Sequence, residues 1–288
     1  MKDGDLCMEN IKLLHGDCLE LMKDVPDKSI DLVLCDLPYA LTWAKWDNEI
    51  PMNDQIKIQN GKKIKYLTYE EYKWYCISNL KIQDEKSIKK MWNINKINGI
   101  WTYYNRIIKD NGAIVLFSTQ PFTTKLINSN IKNYKYSWYW VKNIKGNYLN
   151  AKRQPLRQLE EINVFNKHKY YPQGIKQVNK IGRSGSGAKT TLCNYSNKWF
   201  QENEGYPSNI LYYDLDKDKF HPTQKPVALL EYLIKTYTNE GDLVLDNCMG
   251  SGSTGVACIN INRKFIGIEK DDNYFEIARN RIEQHLNK

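Results

Sequence analysis

Leu243-Val244-Leu245-Asp246-Asn247-Cys248-Met249-Gly250-Ser251-Gly252-Ser253-Thr254-Gly255 reads as a buried strand, a glycine-rich turn and the start of a helix. The apolar opening is too short for a helix and runs straight into turn residues, the pattern of a strand covered on both faces. Gly250, Gly252 and Gly255 satisfy G-x-G-x-x-G directly after that strand. Glycines there let the backbone come close to a ligand while the next helix begins beneath it. A further strand, Lys264 to Ile268, ends at Glu269, where a carboxylate accepts hydrogen bonds from both hydroxyls of a ribose. The turn alone fits either a dinucleotide or S-adenosylmethionine. Asp246 at the strand tip favours the latter, because a negative charge opposes a pyrophosphate and attracts a cationic amino acid portion.

Far upstream, a second apolar run, Leu32-Val33-Leu34-Cys35, ends in Asp36-Leu37-Pro38-Tyr39. Groups that follow a buried strand emerge at the carboxyl edge of the sheet, where α/β proteins bind ligands. The tetrapeptide suits an exocyclic amine, whose lone pair is conjugated into its base and is a poor nucleophile. The Asp36 carboxylate and the Leu37 carbonyl are two acceptors for its two protons, and they favour a pyramidal nitrogen with the lone pair aimed at a methyl donor. Pro38 stiffens the loop and Tyr39 offers a face for stacking. The acceptor signature precedes the cofactor signature.

In this combination the chain resembles the amino-group DNA methyltransferases, which alkylate adenine N6 or cytosine N4, in their circularly permuted β arrangement. That order places an (Asp/Asn/Ser)-Pro-Pro-Tyr catalytic loop first, a target-recognition region in the middle and the S-adenosylmethionine turn last. The resemblance covers residues 11 to 42, 100 to 165 and 219 to 284. It implies a Rossmann-like α/β fold, with a mostly parallel sheet, helices on both faces and a small target-recognition insertion. It also implies catalytic Asp36, Leu37, Pro38 and Tyr39. The implied cofactor set is Asp17 near the adenine, Lys225 near the methionine portion, Asp246, Asn247, Gly250, Ser251 and Gly252 in the turn, and Glu269 on the ribose. Leu37 replaces the usual proline, though only its carbonyl is required. Asn247-Cys248 stand where Pro-Phe is common, which removes an aromatic contact to the cofactor. An Asp-led loop leans towards adenine N6.

The rest of the chain fits that expectation. A chain of 288 residues with 41% apolar residues accommodates one large α/β domain, and a formal charge of +9 favours a polyanionic partner, here double-stranded DNA. From Lys167 to Tyr213 seven basic residues face two acidic ones. Tyr170, Tyr171, Tyr195 and Trp199 are interleaved with them, and Gly182 to Gly187 forms a flexible loop by composition. Residues 166–213 are therefore the candidate target-recognition region, with Lys180, Arg183 and Lys189 on DNA. They lie between a catalytic half, 1–165, and a cofactor half, 214–288. Residues 43–100, with Trp43, Trp46 and Trp74, read as an insertion containing a helix from Thr68, which opens a capping box with Glu71. Elsewhere the pattern predicts strands at Ile30 to Cys35, Tyr136 to Lys142 and Glu161 to Phe165 and a helix from Val227 to Tyr237, whereas from 166 to 213 regular periodicity fades.

The seven cysteines form no CxxC pair and the four histidines have no metal-ligand spacing, so a reduced, metal-free protein is expected. A polar N-terminus and the lack of a long apolar stretch predict a cytoplasmic monomer or homodimer, either solitary or part of a restriction-modification pair. A cytosine-N4 enzyme would share every motif. An RNA or protein amide methyltransferase usually has its cofactor turn first. A nicotinamide-dependent oxidoreductase explains the turn and Glu269 but not Asp36 to Tyr39, and a catalytically silent DNA-binding protein leaves the intact loop unexplained.

Overall fold

The computed structural model describes residues 6–39, 50–60, 63–182 and 199–287. Its strands are β1 (Leu6–Met8), β2 (Ile11–His15), β3 (Ile30–Cys35), β4 (Ile56–Asn60), β5 (Lys63–Leu67), β6 (Ile108–Ser118), β7 (Tyr134–Gly146), β8 (Arg157–Phe165), β9 (Lys176–Gly182), β10 (Trp199–Glu204), β11 (Ile210–Tyr212), β12 (Leu243–Asp246) and β13 (Lys264–Glu269). Its helices are α1 (Cys18–Leu21), α2 (Tyr69–Asn79), α3 (Glu85–Asn95), α4 (Ile100–Ile107), α5 (Phe122–Ser129), α6 (Val227–Tyr237), α7 (Ser253–Asn260) and α8 (Asp272–Leu286).

The central sheet has the order β1-β2-β13-β12-β3-β6-β8-β7-β11. Strands β2, β13, β12, β3 and β6 run parallel to one another, whereas β1 pairs antiparallel with β2 and β8 runs antiparallel between β6 and β7. β12 and β3 pair through Val244 with Leu32 and Leu245 with Val33. From β12 the chain moves outward to β13; from β3 it moves the other way to β6. The switch point of the sheet therefore lies between them, the place where α/β sheets open a crevice at their carboxyl edge.

Continuous apolar strands are covered on both faces, and the side chains of β3 show it. Leu32 and Leu34 join a core with Leu229 and Leu233 of α6, Val256 of α7 and Phe275 of α8. Ile30, Val33 and Cys35 join the opposite core with Met22, Trp101 and Tyr104 of α4, and Phe122 of α5. The expected mostly parallel sheet with helices on both faces is present, and β3 and α6 have the anticipated bounds.

Two expectations need correction. Residues 166–213 are not without regular structure: β9 and β10 form an antiparallel pair and β11 adds a parallel edge strand to β7. β11 buries only Leu211, so its sequence carries little strand signal. β7 and β8 also run well beyond Tyr136–Lys142 and Glu161–Phe165, as a polar hairpin whose outer residues lack buried alternation. In the 43–100 segment, β4, β5, α2 and α3 enclose a separate cluster of Ile56, Leu67, Tyr72, Cys76, Ile88 and Trp92. Thr68 caps α2 in the anticipated capping box. Trp74 is exposed, while Trp43 and Trp46 lie outside the described residues.

At the amino edge, the Asp31 carboxylate accepts the Lys109 ammonium through both oxygens at 2.7 Å and the Leu243 N–H at 3.0 Å. One side chain thus ties β3 to β6 and to the start of β12. Asp31→Ala strands a partly buried ammonium and an N–H, and should lower stability by about 1–3 kcal/mol. Denaturant melts check this; an unchanged midpoint would mean that backbone pairing alone sets the register.

Candidate active site

A cavity of about 490 Å³ opens at the switch point. Asp17, Asp36, Leu37, Pro38, Tyr39, Lys225, Asp246, Asn247, Gly250, Ser251 and Glu269 all contribute to its wall. Gly252 does not; its place is in the turn itself.

The three glycines act differently. Gly250 has φ +52, and a Cβ there would meet nothing nearer than His221 at 3.9 Å, so it presents bare backbone to the cavity. Gly252 has φ +77, caps α7, and has Ala278 Cβ at 3.0 Å and Ile282 at 3.1 Å from where a Cβ would sit. Gly255 admits α7 against Phe265 and Ile282. Buried Tyr104 of α4 braces the turn from below, its hydroxyl donating to Asn247 Oδ1 at 2.6 Å. No local signal in the sequence links these two residues.

The acidic groups are already engaged by the backbone. Glu269 accepts the N–H groups of Gly250, Lys270 and Asp271, each at 2.9 Å. Burial nevertheless keeps its carboxyl above the usual range. Asp246 accepts Cys248 N–H at 3.1 Å and the Thr254 hydroxyl at 2.6 Å, and burial pushes its carboxyl up to about 6. Asp17 caps α1 through Leu19 N–H at 3.0 Å and pairs with Lys270 at 3.0 Å. Burial opposes its ionisation, but Lys270 together with the Leu19 and Glu20 N–H groups holds the carboxyl below its ordinary value.

The acceptor loop sits at the tip of β3. Tyr39 donates its hydroxyl to Asp36 Oδ1, and one face of its ring stacks on Phe122 at 4.8 Å between centroids. Lys225, only 7% exposed, donates to Asp36 Oδ2 and to the Thr223 carbonyl at 3.2 Å. The same ammonium lies 3.4 Å from Glu160 Oε2 and 5.1 Å from the Phe117 ring centroid. Glu160, on the antiparallel strand β8, also pairs with Lys142. This chain of charges, Tyr39–Asp36–Lys225–Glu160–Lys142, was only half anticipated, because nothing in the β8 sequence marks Glu160 as facing the acceptor loop. Burial, joined by the Glu160 charge, raises the Asp36 carboxyl, although Lys225 opposes this. Glu160, buried between two ammonium groups, is held below the ordinary glutamate value because they outweigh its desolvation.

Of the basic residues expected on DNA, Lys180 pairs with Glu204 across the β9–β10 ladder at 2.6 Å. Arg183 and Lys189 lie outside the described residues. Among the described residues, no helix is long and apolar enough to cross a membrane.

A glycine turn and an Asp-led loop on adjacent strand tips of this sheet define the class, the S-adenosylmethionine-dependent methyltransferases. The chain belongs to the DNA methylase family of N6/N4 methyltransferases, whose profile matches residues 30–280. It is 24% identical over 279 residues to the Type II methyltransferase M2.LlaDCHI of Lactococcus lactis subsp. cremoris, covering 95% of this chain and 90% of that one. It is 25% identical over 288 residues to the Type II methyltransferase M.HpaI of Haemophilus parainfluenzae, covering 96% and 75%. In fold it resembles M1.HpyAVI in complex with S-adenosylmethionine, with TM-score 0.54, 24% identity and coverage of 94% and 99%. It also resembles the cytosine-N4-specific PvuII DNA methyltransferase, with TM-score 0.58, 19% identity and coverage of 97% and 92%. The chain is a DNA methyltransferase and S-adenosylmethionine is its methyl donor.

The glycines give a paired prediction. Gly252→Ala and Gly250→Ala share the strain of a left-handed residue, but only the former adds a packing conflict, so it should be the less stable by about 1–3 kcal/mol. Thermal melts of the two variants should rank them in that order; equal melting temperatures would show that α8 yields freely.

Proposed function

We propose that this methyltransferase alkylates the exocyclic N6 of adenine in double-stranded DNA, on a base rotated out of the helix. The observation that carries the reading is the position of the Asp36 carboxylate and the Leu37 backbone at a strand tip next to the glycine-turn cavity. The residues fit the cofactor. Gly250 offers backbone without a side chain in the way, Asp246 is a buried carboxylate suited to an ammonium, and Glu269 stands at the end of the next strand. Asn247, Ser251 and Gly252 shape the turn, Lys225 stands between donor and acceptor sites, and Asp17 caps the adenine end. When bound, S-adenosylmethionine supplies an electrophilic methyl group.

The chain's own residues prepare the nucleophile. Asp36 and the Leu37 carbonyl accept the two amine protons, turning the nitrogen lone pair towards the donor side, and Pro38 fixes the spacing. Tyr39 presents to the base the ring face not used by Phe122. Burial and the Glu160 charge raise the Asp36 carboxyl, and Lys225 offsets part of that rise. The carboxylate has more lone pairs than its two partners use, so it can accept the amine without losing them. Attack is direct, with no covalent enzyme intermediate, and the surplus amine proton leaves to solvent or through Asp36. Asp rather than Ser at the head of the loop favours adenine over cytosine N4, which every other feature would serve equally.

We also assign residues 1–165 and 214–288 to one catalytic domain, with 43–100 as an insertion. Residues 166–213, including Lys180, Arg183 and Lys189, are assigned to target recognition. The protein would act as a monomer or homodimer.

The decisive experiment is incubation with mixed DNA and methyl-labelled S-adenosylmethionine, followed by nucleoside mass spectrometry. N6-methyladenine is expected; N4-methylcytosine would correct the base, and an unlabelled DNA pool would refute the substrate. Asp36→Ala should abolish methylation while cofactor affinity changes little, and full activity in that variant would remove the mechanism.

The raised Asp246 carboxyl sets a pH dependence. It becomes neutral as pH falls through about 6, so affinity for a cationic ligand should be full above that value and lost below it. Calorimetric titration of S-adenosylmethionine across about pH 5 to 8 tests this against Asp246→Asn, whose weaker binding should be flat over the same range.

A further inference from the structure

The hairpin joining β7 to β8 ends in a turn that holds apolar side chains in solvent. Leu149 is 102% exposed and Tyr148 67%. The turn is folded: Asn147 adopts φ +69, and Asn150 Nδ2 donates to Asn147 Oδ1 at 2.8 Å. The Asn150, Ala151 and Arg153 N–H groups bond to the carbonyls of Asn147, Tyr148 and Asn150. Leu149 is thus presented by a built turn and has no core to join.

The surroundings are cationic. From Lys142 through Arg157 the sequence holds five basic residues and no carboxylate. Lys142 pairs with Glu160, while Lys145, Lys152, Arg153 and Arg157 have no ion-pair partner among the described residues. Such a run repels itself and suits a polyanion.

The hairpin also stands on the acceptor side of the active site. Lys145, Asn147 and Arg157 line a second cavity of about 470 Å³, with Glu160 in its wall. His221, Thr223 and Gln224 line both this cavity and that of the glycine turn. One buried polar atom without a hydrogen-bond partner, Asn147 Nδ2, belongs to this second cavity. Buried polar groups are normally satisfied, so the cavity suits a polar guest such as a nucleotide.

We propose that the 147–153 turn enters the DNA duplex. Leu149, backed by Tyr148, fills the gap in the base stack left by the rotated target base, and Lys145, Lys152, Arg153 and Arg157 hold the phosphates on either side. Rotating a base out breaks its pairing and stacking, and an inserted apolar side chain restores part of the lost contact. This assignment rests on the DNA-methyltransferase reading above and adds to it the element that opens the duplex. It also shifts the principal phosphate contacts from the β9–β10 region, where Lys180 is paired with Glu204, to the β7–β8 hairpin.

The test uses the full chain and a duplex bearing the sequence that wild-type protein methylates in mixed DNA. Single-turnover methylation is compared on the matched duplex and on one with an abasic site opposite the target base, where little pairing is left to break. Leu149→Ala removes only an exposed side chain, so folding and cofactor affinity should hold. Its rate on the matched duplex should fall about tenfold or more, and return to within about threefold of wild type on the abasic duplex. Arg153→Ala should instead weaken binding to both duplexes and flatten the salt dependence. A Leu149→Ala rate equal to wild type on the matched duplex, or an equal loss on both, would overturn the wedge. Failure of wild-type protein to methylate any sequence in mixed DNA would overturn the functional reading instead.

Discussion

Parallel pairing of β12 with β3 is the constraint on which the active site depends. It brings the ends of the chain together at the middle of the sheet and sets the Asp246 and Asp36 tips side by side. Everything functional then follows from what leaves each tip: a glycine turn on one strand, an acceptor loop on the other, and the cavity between them. The helices enforce that geometry from both faces, and Tyr104 reaches from α4 to fix Asn247.

Over this frame lies an unusual concentration of charge. One ammonium, that of Lys225, serves two carboxylates in a setting where it is almost fully shielded from water. Removing Lys225 would strip Asp36 of its ammonium and leave Glu160 with Lys142 alone at low dielectric, so the set depends on that one residue. Because Glu160 stands on β8 and Asp36 follows the tip of β3, the set also locks the antiparallel strand to the loop that does the chemistry. Lys142 extends it to the base of the β7–β8 hairpin.

What the sequence discloses follows from where chemistry coincides with local pattern. The glycine turn, the strand into Asp36, the α6 span and the Thr68 capping box are written in consecutive residues and could be read directly. Glu160 could not, since an acidic residue in a half-polar strand has no periodicity to distinguish it and its partners come from distant segments. The short edge strand β11 and the polar extensions of β7 and β8 were invisible for a related reason: their hydrogen bonds are tertiary and their side chains mostly face solvent. At Gly252 the spacing alone does not show the packing demand, because Ala278 and Ile282, which crowd the Cβ position, come from the distant helix α8.

The permuted order has a consequence for how the molecule is made. As the chain emerges, β3 and β6 are available early, but the strand that belongs between β3 and β13 comes among the last elements. Until then the nascent sheet has an open apolar edge at what will become its centre. Closing it requires contacts between chain ends, the kind of long-range step that slows folding and exposes intermediates to aggregation. A premature stop before Leu243 would therefore not trim a margin: it would release a protein split along its midline.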